Sequence, residues 1–125
     1  MGRNQLSGAH LQAEQLAHRI TDILSEKQAE DILLLDISKV SSFADYFVIA
    51  SAGSDRQIDA ILETIDEDLR KAEKVRPRGR EGTSKTGWVL LDYGDVIVHI
   101  FGTEERSFYD LESLWANAVP VVRIQ

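Results

Sequence analysis

The sequence contains no cysteine and only two prolines among its 125 residues. Without cysteine the chain has no disulfide, no thiolate metal site and no cysteine nucleophile. Basic residues are also few: 14 lysines and arginines face 21 aspartates and glutamates, which leaves a formal net charge of −7. Proteins that bind nucleic acid through its phosphates usually carry a basic footprint, so the overall balance argues against that class. An acidic chain instead suits simple solubility or a basic partner.

Long apolar runs are missing as well, and no stretch approaches the ~20 residues that a membrane span needs. The start of the chain, Met-Gly-Arg-Asn-Gln, has no apolar core behind its charge, unlike a secretory signal peptide. It also lacks the Arg- and Ser-rich character of a transit peptide. We therefore expect a cytoplasmic protein without membrane attachment.

Hydrophobic periodicity predicts the order helix, two strands, helix, two strands, helix. The predicted helices cover residues 9–25, a stretch that follows an N-cap at Ser54, and a stretch after a cap at Thr103. The predicted strands cover residues 31–38, 46–50, 88–92 and 95–101, with a short edge strand at 121–124. This order predicts an α/β domain in which helices pack on a single mixed β-sheet.

Residues 73–87 combine three glycines, one proline and five basic side chains, which is typical of a long basic loop. Long loops are usually functional or disordered. Two interpretations stay open: solvated charge on a mobile loop, or a contact with the phosphate backbone of RNA. The residues expected near RNA are Arg76, Arg78, Arg80 and Lys85.

The strands at 88–92 and 95–101 predict a hairpin around a two-residue turn at Tyr93 and Gly94. One face of it is aliphatic and is expected to be core. The other face mixes aromatic, acidic and imidazole groups. The predicted cross-strand pairs are Asp92 with Asp95, Leu90 with Ile97, and Trp88 with His99.

The mixed face of the hairpin has two interpretations. Two facing carboxylates repel each other, and burying them would be costly, so this face is a candidate protein-binding surface. In the alternative, Trp88 and His99 pack under the last helix near Tyr109 and Trp115, with the acids at the rim.

Catalytic motifs are largely absent from the sequence. It has three histidines, His10, His18 and His99, and no Gly-x-Ser-x-Gly, Walker A or dinucleotide-binding motif. We expect no cofactor and no metal site. One partial match remains: Gly53 and Ser54 lie between a strand and a helix, as in the phosphate-binding turn of nucleotidyltransferases, with Asp92 and Asp95 as candidate metal carboxylates. A Gly-Ser pair before a helix is far more often a simple cap.

Several motifs together resemble the RsfS (Iojap) family. They are Asp-Tyr-Phe-Val-Ile at 45–49, Gly53-Ser54 with Gln57, Glu81-Gly82, the block GWVLLDYGDVIVHIF at 87–101, and the closing Arg106, Tyr109, Leu111-Glu112 and Leu114-Trp115. The resemblance runs over nearly the whole chain, and the long block is its most specific part. We expect the domain to cover residues 9–119, with 1–8 and 120–125 as flexible or variable ends.

The resemblance implies a fold related to the nucleotidyltransferases but catalytically inactive, and therefore not an enzyme. It implies a ribosomal silencing factor that binds the large ribosomal subunit through its ribosomal protein fourteen. Bound there, it would sterically block joining of the small subunit and repress translation under nutrient limitation. The family also self-associates, so a free homodimer is expected. A nucleotidyltransferase-like or nucleotide-binding enzyme and a large-subunit assembly factor remain as alternatives.

Partner contacts are expected at signature positions that suit a core poorly. Trp88 and Tyr109 would be anchors, the acids would pair with basic groups of the partner, His99 would make a hydrogen bond, and Arg106 would orient a carboxylate. The full set is Trp88, Asp92, Tyr93, Asp95, His99, Arg106, Tyr109 and Glu112.

Overall fold

The computed structural model describes residues 12–125, so the predicted tail at 1–8 and His10 lie outside the described residues. The helices are α1 (Ala13–Glu26), α2 (Asp55–Glu73), α3 (Thr103–Tyr109) and α4 (Leu111–Leu114). The strands are β1 (Glu30–Asp36), β2 (Tyr46–Ala52), β3 (Gly79–Glu81), β4 (Trp88–Asp92), β5 (Val96–Gly102) and β6 (Val119–Ile124).

The strands form one sheet in the order β3-β4-β5-β2-β1-β6. The central strands β2 and β5 run parallel, and the other neighbours pair antiparallel. A parallel pair needs a crossover connection, and α2 lies in the segment that links β2 to β5. The predicted α/β class with a single mixed sheet is confirmed.

The two long helices pack on the first face of this sheet. In α2 an apolar stripe at helical spacing is fully buried: Ile58, Ile61, Leu62, Ile65 and Leu69. The predicted cap is confirmed, because the Ser54 hydroxyl accepts a hydrogen bond from the Gln57 N–H at 3.1 Å. Burying each such Ile or Leu side chain stabilises the fold by roughly 1.5–3 kcal/mol, so this layer supplies the main core.

The second face of the sheet is covered by the short helices α3 and α4 and the segment that follows them. Its core contains Phe47, Ile49, Ile97, Phe101 and Leu111, among others. The side chains of the hairpin alternate between the two predicted faces, and each face packs into one of the two cores. Val89, Leu91, Val96, Val98 and Ile100 lie in the first core, and Trp88, Leu90, Ile97 and Phe101 lie in the second.

The predicted pairing within the hairpin is wrong by two residues. Asp92 pairs with Ile97, Leu90 with His99, and Trp88 with Phe101. The Tyr93 N–H donates to the Val96 carbonyl at 2.9 Å, so the two-residue turn is Gly94-Asp95. Gly94 has φ +88 and occupies the first turn position, where a type II′ turn requires glycine. A shift of two residues preserves the side-chain faces, which explains why the aliphatic core face was predicted correctly.

Three further predictions need correction. Thr103 is the first helical residue and Gly102 holds the N-cap position. The predicted last helix is two helices, since Asp110 adopts φ +46 between them. Residues 73–87 are not all loop, because they contain β3 and a 3-10 turn at Ser84–Thr86.

The end of the chain, set outside the domain as a flexible or variable end, belongs to the sheet. It forms β6, which pairs with β1. A short edge strand was predicted here, at residues 121–124.

Candidate protein-binding surface

A connected series of aromatic rings crosses the second face of the sheet, and we call it the aromatic face. Ring centroids are 6.0 Å apart for Phe43 and Trp115, 4.9 Å for Trp115 and Phe47, and 4.6 Å for Phe47 and His99. The series continues at 6.0 Å from His99 to Trp88, 4.6 Å from Trp88 to Tyr109, and 5.1 Å from Tyr109 to Phe108. The members are Phe43, Phe47, Trp88, His99, Phe101, Phe108, Tyr109 and Trp115.

The outer members of the aromatic face are open to solvent. Phe108 is 79% exposed, Phe43 60% and Tyr109 44%, and Leu114 of α4 is 76% exposed. Phe108 and Tyr109 contact each other, and exposed apolar groups that form one patch mark interaction sites. Tyr109 was predicted as a contact residue, whereas Phe43, Phe108 and Leu114 were not. Leu114 and Phe108 had been assigned to a continuous helix, and the break at Asp110 places them outward.

Trp88 and His99 lie beneath this surface. The Trp88 Nε1–H donates to His99 Nδ1 at 3.1 Å. Trp88 is half-buried, whereas His99 is 3% exposed. Burial lowers the pKa of the His99 imidazole to about 4, so the ring is neutral at physiological pH. The structure therefore agrees with the packed interpretation for His99, while Trp88 keeps one side at the surface.

Arg106 is buried and links α3 to α4 and to the sheet. Its Nε donates to Glu112 Oε2 at 2.9 Å, and its Nη1 donates to the Ser51 hydroxyl at 3.4 Å. The expectation that Arg106 orients a carboxylate matches this geometry. The pair spans the bend at Asp110 and holds α4 against β2.

The remaining predicted contacts are spread around the hairpin turn. Asp92 accepts from the Gly94 N–H at 2.7 Å and pairs with Arg78 at 3.3 Å, while Asp95 is exposed. Tyr93 packs against the first core, on the other side of the sheet from the aromatic face. Burial raises the pKa of its hydroxyl above the usual range. Ring contacts thus bring together Trp88, His99 and Tyr109, and an ion pair joins Arg106 to Glu112. Tyr93 lies on the other side of the sheet.

The four residues expected near RNA, Arg76, Arg78, Arg80 and Lys85, are all exposed. Arg78 pairs with Asp92, and Lys85 pairs with Asp55 at 3.8 Å. These two cations are partly balanced by the chain's own carboxylates. Arg76 and Arg80 are the members best placed to meet an external anion.

The residues considered for a nucleotidyltransferase site lie at opposite ends of the sheet. Tyr46 pairs with Val96 and Ala52 with Gly102, so Gly53 follows the far end of β2 from Asp95. Six strand steps of about 3.3 Å separate the two ends by about 20 Å. This arrangement cannot place Gly53-Ser54 and the two aspartates around one metal-bound phosphate.

The cleft at Gly53 and Ser54 is lined by acids rather than by a phosphate-binding set. Asp55, Glu104 and Glu105 line it beside Lys85. A Cβ added at Gly102 would collide with the Glu105 side chain, which shows how closely that carboxylate covers the cleft. Negative side chains at helix starts repel phosphate, so the cleft does not suit an anion.

Within residues 12–125, no group of three or more His, Cys, Asp and Glu side chains is arranged to hold a metal ion. In the same part of the chain, no helix has the length and apolarity to cross a membrane.

Comparison with known proteins assigns the family. The family model described as ribosomal silencing factor during starvation, RsfS, matches residues 10–125. A ribosomal silencing factor RsfS of Bacillus subtilis is 45% identical over 93 residues, covering 74% of this chain and 78% of that protein. The chloroplastic protein Iojap of Zea mays is 40% identical over 98 residues, covering 78% of this chain and 42% of that protein. A crystal structure of a Chromobacterium violaceum protein, 32% identical, superposes with a TM-score of 0.79 over 85% of this chain and 88% of that one. The chain therefore belongs to the RsfS family of ribosomal silencing factors.

Proposed function

We propose that this protein binds the large ribosomal subunit through ribosomal protein fourteen and sterically prevents the small subunit from joining. In this proposal it represses translation under nutrient limitation in the cytoplasm, by occupancy and without catalysis. The observation that carries the proposal is the aromatic face, whose exposed rings have the composition of a protein-binding hot spot. Family membership supports the ribosome as the partner.

The charge around the aromatic face supports a basic partner. Glu104 is exposed on α3, the helix that carries Phe108 and Tyr109, and Asp110 is exposed directly after that helix. The whole chain has a net charge of −7. Complementary charge steers encounter and sets the partner's orientation, while the buried aromatic anchors supply most of the affinity.

The first test is co-sedimentation of the purified protein with separated large and small ribosomal subunits across a salt series. We expect pelleting with the large subunit alone, weakening as salt rises because exposed charge pairs are screened. Absence of pelleting with either subunit at low salt would contradict the proposal. Heat stabilisation by a nucleotide with Mg²⁺ would instead support the enzyme alternative.

Surface variants test whether the aromatic face makes the contact. Phe108→Ala and Tyr109→Ala should each weaken large-subunit binding by about 2 kcal/mol, roughly 30-fold, if these rings are hot spots. Ile124→Ala is the matched control. Ile124 is an exposed apolar residue that pairs with Ile32, whose side chain lies in the first core. If all three variants bind the large subunit as tightly as the natural protein does, the contact lies elsewhere on the molecule.

Two finer parts of the proposal have their own tests. We place Arg76 and Arg80 near ribosomal RNA. Arg76→Gln and Arg80→Gln should therefore each reduce the slope of the logarithm of the binding constant against the logarithm of the salt concentration by the amount expected for about one phosphate contact. The free protein should sediment as a homodimer. If both arginine variants bind as before and with an unchanged dependence on salt, the proposed RNA contact is wrong, and the proposed contact with the ribosomal protein is unaffected.

A further inference from the structure

The indole N–H of Trp88 is turned inward by a hydrogen bond to a neighbouring strand. Trp88 begins β4, and its Nε1 donates to Nδ1 of His99 on β5 at 3.1 Å. Indole is a donor only, so this bond uses its whole hydrogen-bonding capacity. The ring then packs between Phe101 at 4.9 Å and Tyr109 at 4.6 Å. The bond therefore determines which edge of the indole remains for a partner.

His99 is not the residue that stability alone would favour at this position. Because Nδ1 accepts from Trp88, the proton of the neutral ring lies on Nε2. That atom is buried and has no hydrogen-bond partner among the residues that the structure describes. A buried, unsatisfied donor lowers stability. The cross-strand neighbours of His99 are Ile49 and Leu90, so an aliphatic side chain suits the surroundings.

We propose that His99 is a positioning residue, which orients the Trp88 indole within the partner-binding surface and does not itself touch the partner. The inference rests on the proposed function for its binding readout. It replaces the expected direct hydrogen bond from His99 to the partner, because a side chain that is 3% exposed cannot reach one. The loss of stability from the unpaired Nε2–H is then the consequence of keeping Nδ1 as the acceptor for the Trp88 N–H.

Two substitutions separate positioning from packing. His99→Leu removes the acceptor and the unpaired donor together, and His99→Asn keeps an acceptor close to the position of Nδ1. His99→Leu exchanges the unpaired Nε2–H for an unpaired Trp88 N–H, so we expect it to unfold at a urea concentration close to that of the natural protein, yet to bind the large subunit about tenfold more weakly. His99→Asn should bind within about twofold of the natural protein. A stable His99→Leu variant with natural affinity would overturn the proposal, and so would a His99→Asn variant as weak as His99→Leu.

A double-mutant cycle with Trp88→Phe tests whether His99 acts through Trp88. Phenylalanine lacks the N–H, so adding His99→Leu to Trp88→Phe should weaken binding no further. A second loss of similar size would show that His99 acts independently of the indole, contrary to the proposal.

A third readout needs no ribosome. In ¹⁵N-labelled protein the Trp88 indole proton should exchange slowly with solvent, and it should exchange faster in His99→Leu but not in His99→Asn, with Trp115 as the internal control. If the natural protein fails to bind the large subunit, the proposed function fails while this measurement still tests the Trp88–His99 bond. An indole proton of Trp88 that exchanges equally in all three proteins would overturn the positioning role.

Discussion

Acidification from pH 7 to pH 5 should destabilise this protein through His99. Burial lowers the pKa of His99 to about 4 in the folded protein, whereas the unfolded chain has the ordinary value near 6.5. Between these two values the unfolded chain binds a proton that the folded chain does not. The free energy of unfolding therefore falls as the pH drops from 6.5 towards 4.

The magnitude follows from the two pKa values. The full shift corresponds to about 3 kcal/mol, and about 2 kcal/mol of this is lost between pH 7 and pH 5. Asp36 contributes in a lower range. Hydrogen bonds from Ser38 hold the pKa of that carboxyl below its usual value, so its effect on stability is lost under more acidic conditions. Asp36 therefore adds little to the change in stability between pH 7 and pH 5.

The assay is urea unfolding followed by tryptophan fluorescence at several pH values between 7 and 5. His99→Leu is the matched variant, and the difference between the two proteins removes the contribution of every other titrating group. We expect that difference to change by about 2 kcal/mol across the window, with the natural protein losing more stability. Parallel curves for the two proteins would refute the reasoning, because they would mean that folding does not change the proton affinity of His99.

Two predictions concern the supports of the aromatic face. Arg106→Leu should lower the free energy of unfolding by about 3 kcal/mol because it leaves the Glu112 carboxylate without its buried partner. Arg106→Lys keeps a positive charge and should lower the free energy of unfolding less. Equal urea midpoints for the two variants would contradict this prediction. Gly87→Ala should lower the melting temperature more than Gly94→Ala: both glycines have positive φ, but only a Cβ at Gly87 would collide with Glu105. Equal losses for the two would show that backbone conformation alone sets the effect.

Much of the fold could be predicted because its signals are local. Strict alternation along residues 88–101 assigns each side chain to a face, whichever residue it pairs with across the hairpin. The Ser54 cap depends on a hydrogen bond to a residue three positions away. The wrong pairing has an equally local cause. Gly94 was placed second in the turn, whereas its positive φ is used at the first turn position.

The candidate site could be predicted only in part. Tyr109 and Trp88 stood out because an aromatic residue at a mixed surface is a recognisable signal. Phe43 and Phe108 carried no such signal, since exposure depends on how a loop and a broken helix lie on the sheet. The left-handed conformation of Asp110 ends α3 there, and the helical periodicity runs through that position without interruption.

Amino-acid order alone was enough to establish the α/β class, the two faces of the hairpin and the family resemblance, because these depend on periodicity and contiguous motifs. Tertiary structure decided that His99 is buried, that Arg106 pairs with Glu112 across a bend, and that Gly53 and Asp95 lie beyond opposite ends of a strand pair about 20 Å long. The physical reason is the same in each case. Burial and distance depend on which strands become neighbours and in which direction they run, and β2 and β5 meet as parallel partners although α2, β3 and β4 separate them in the chain.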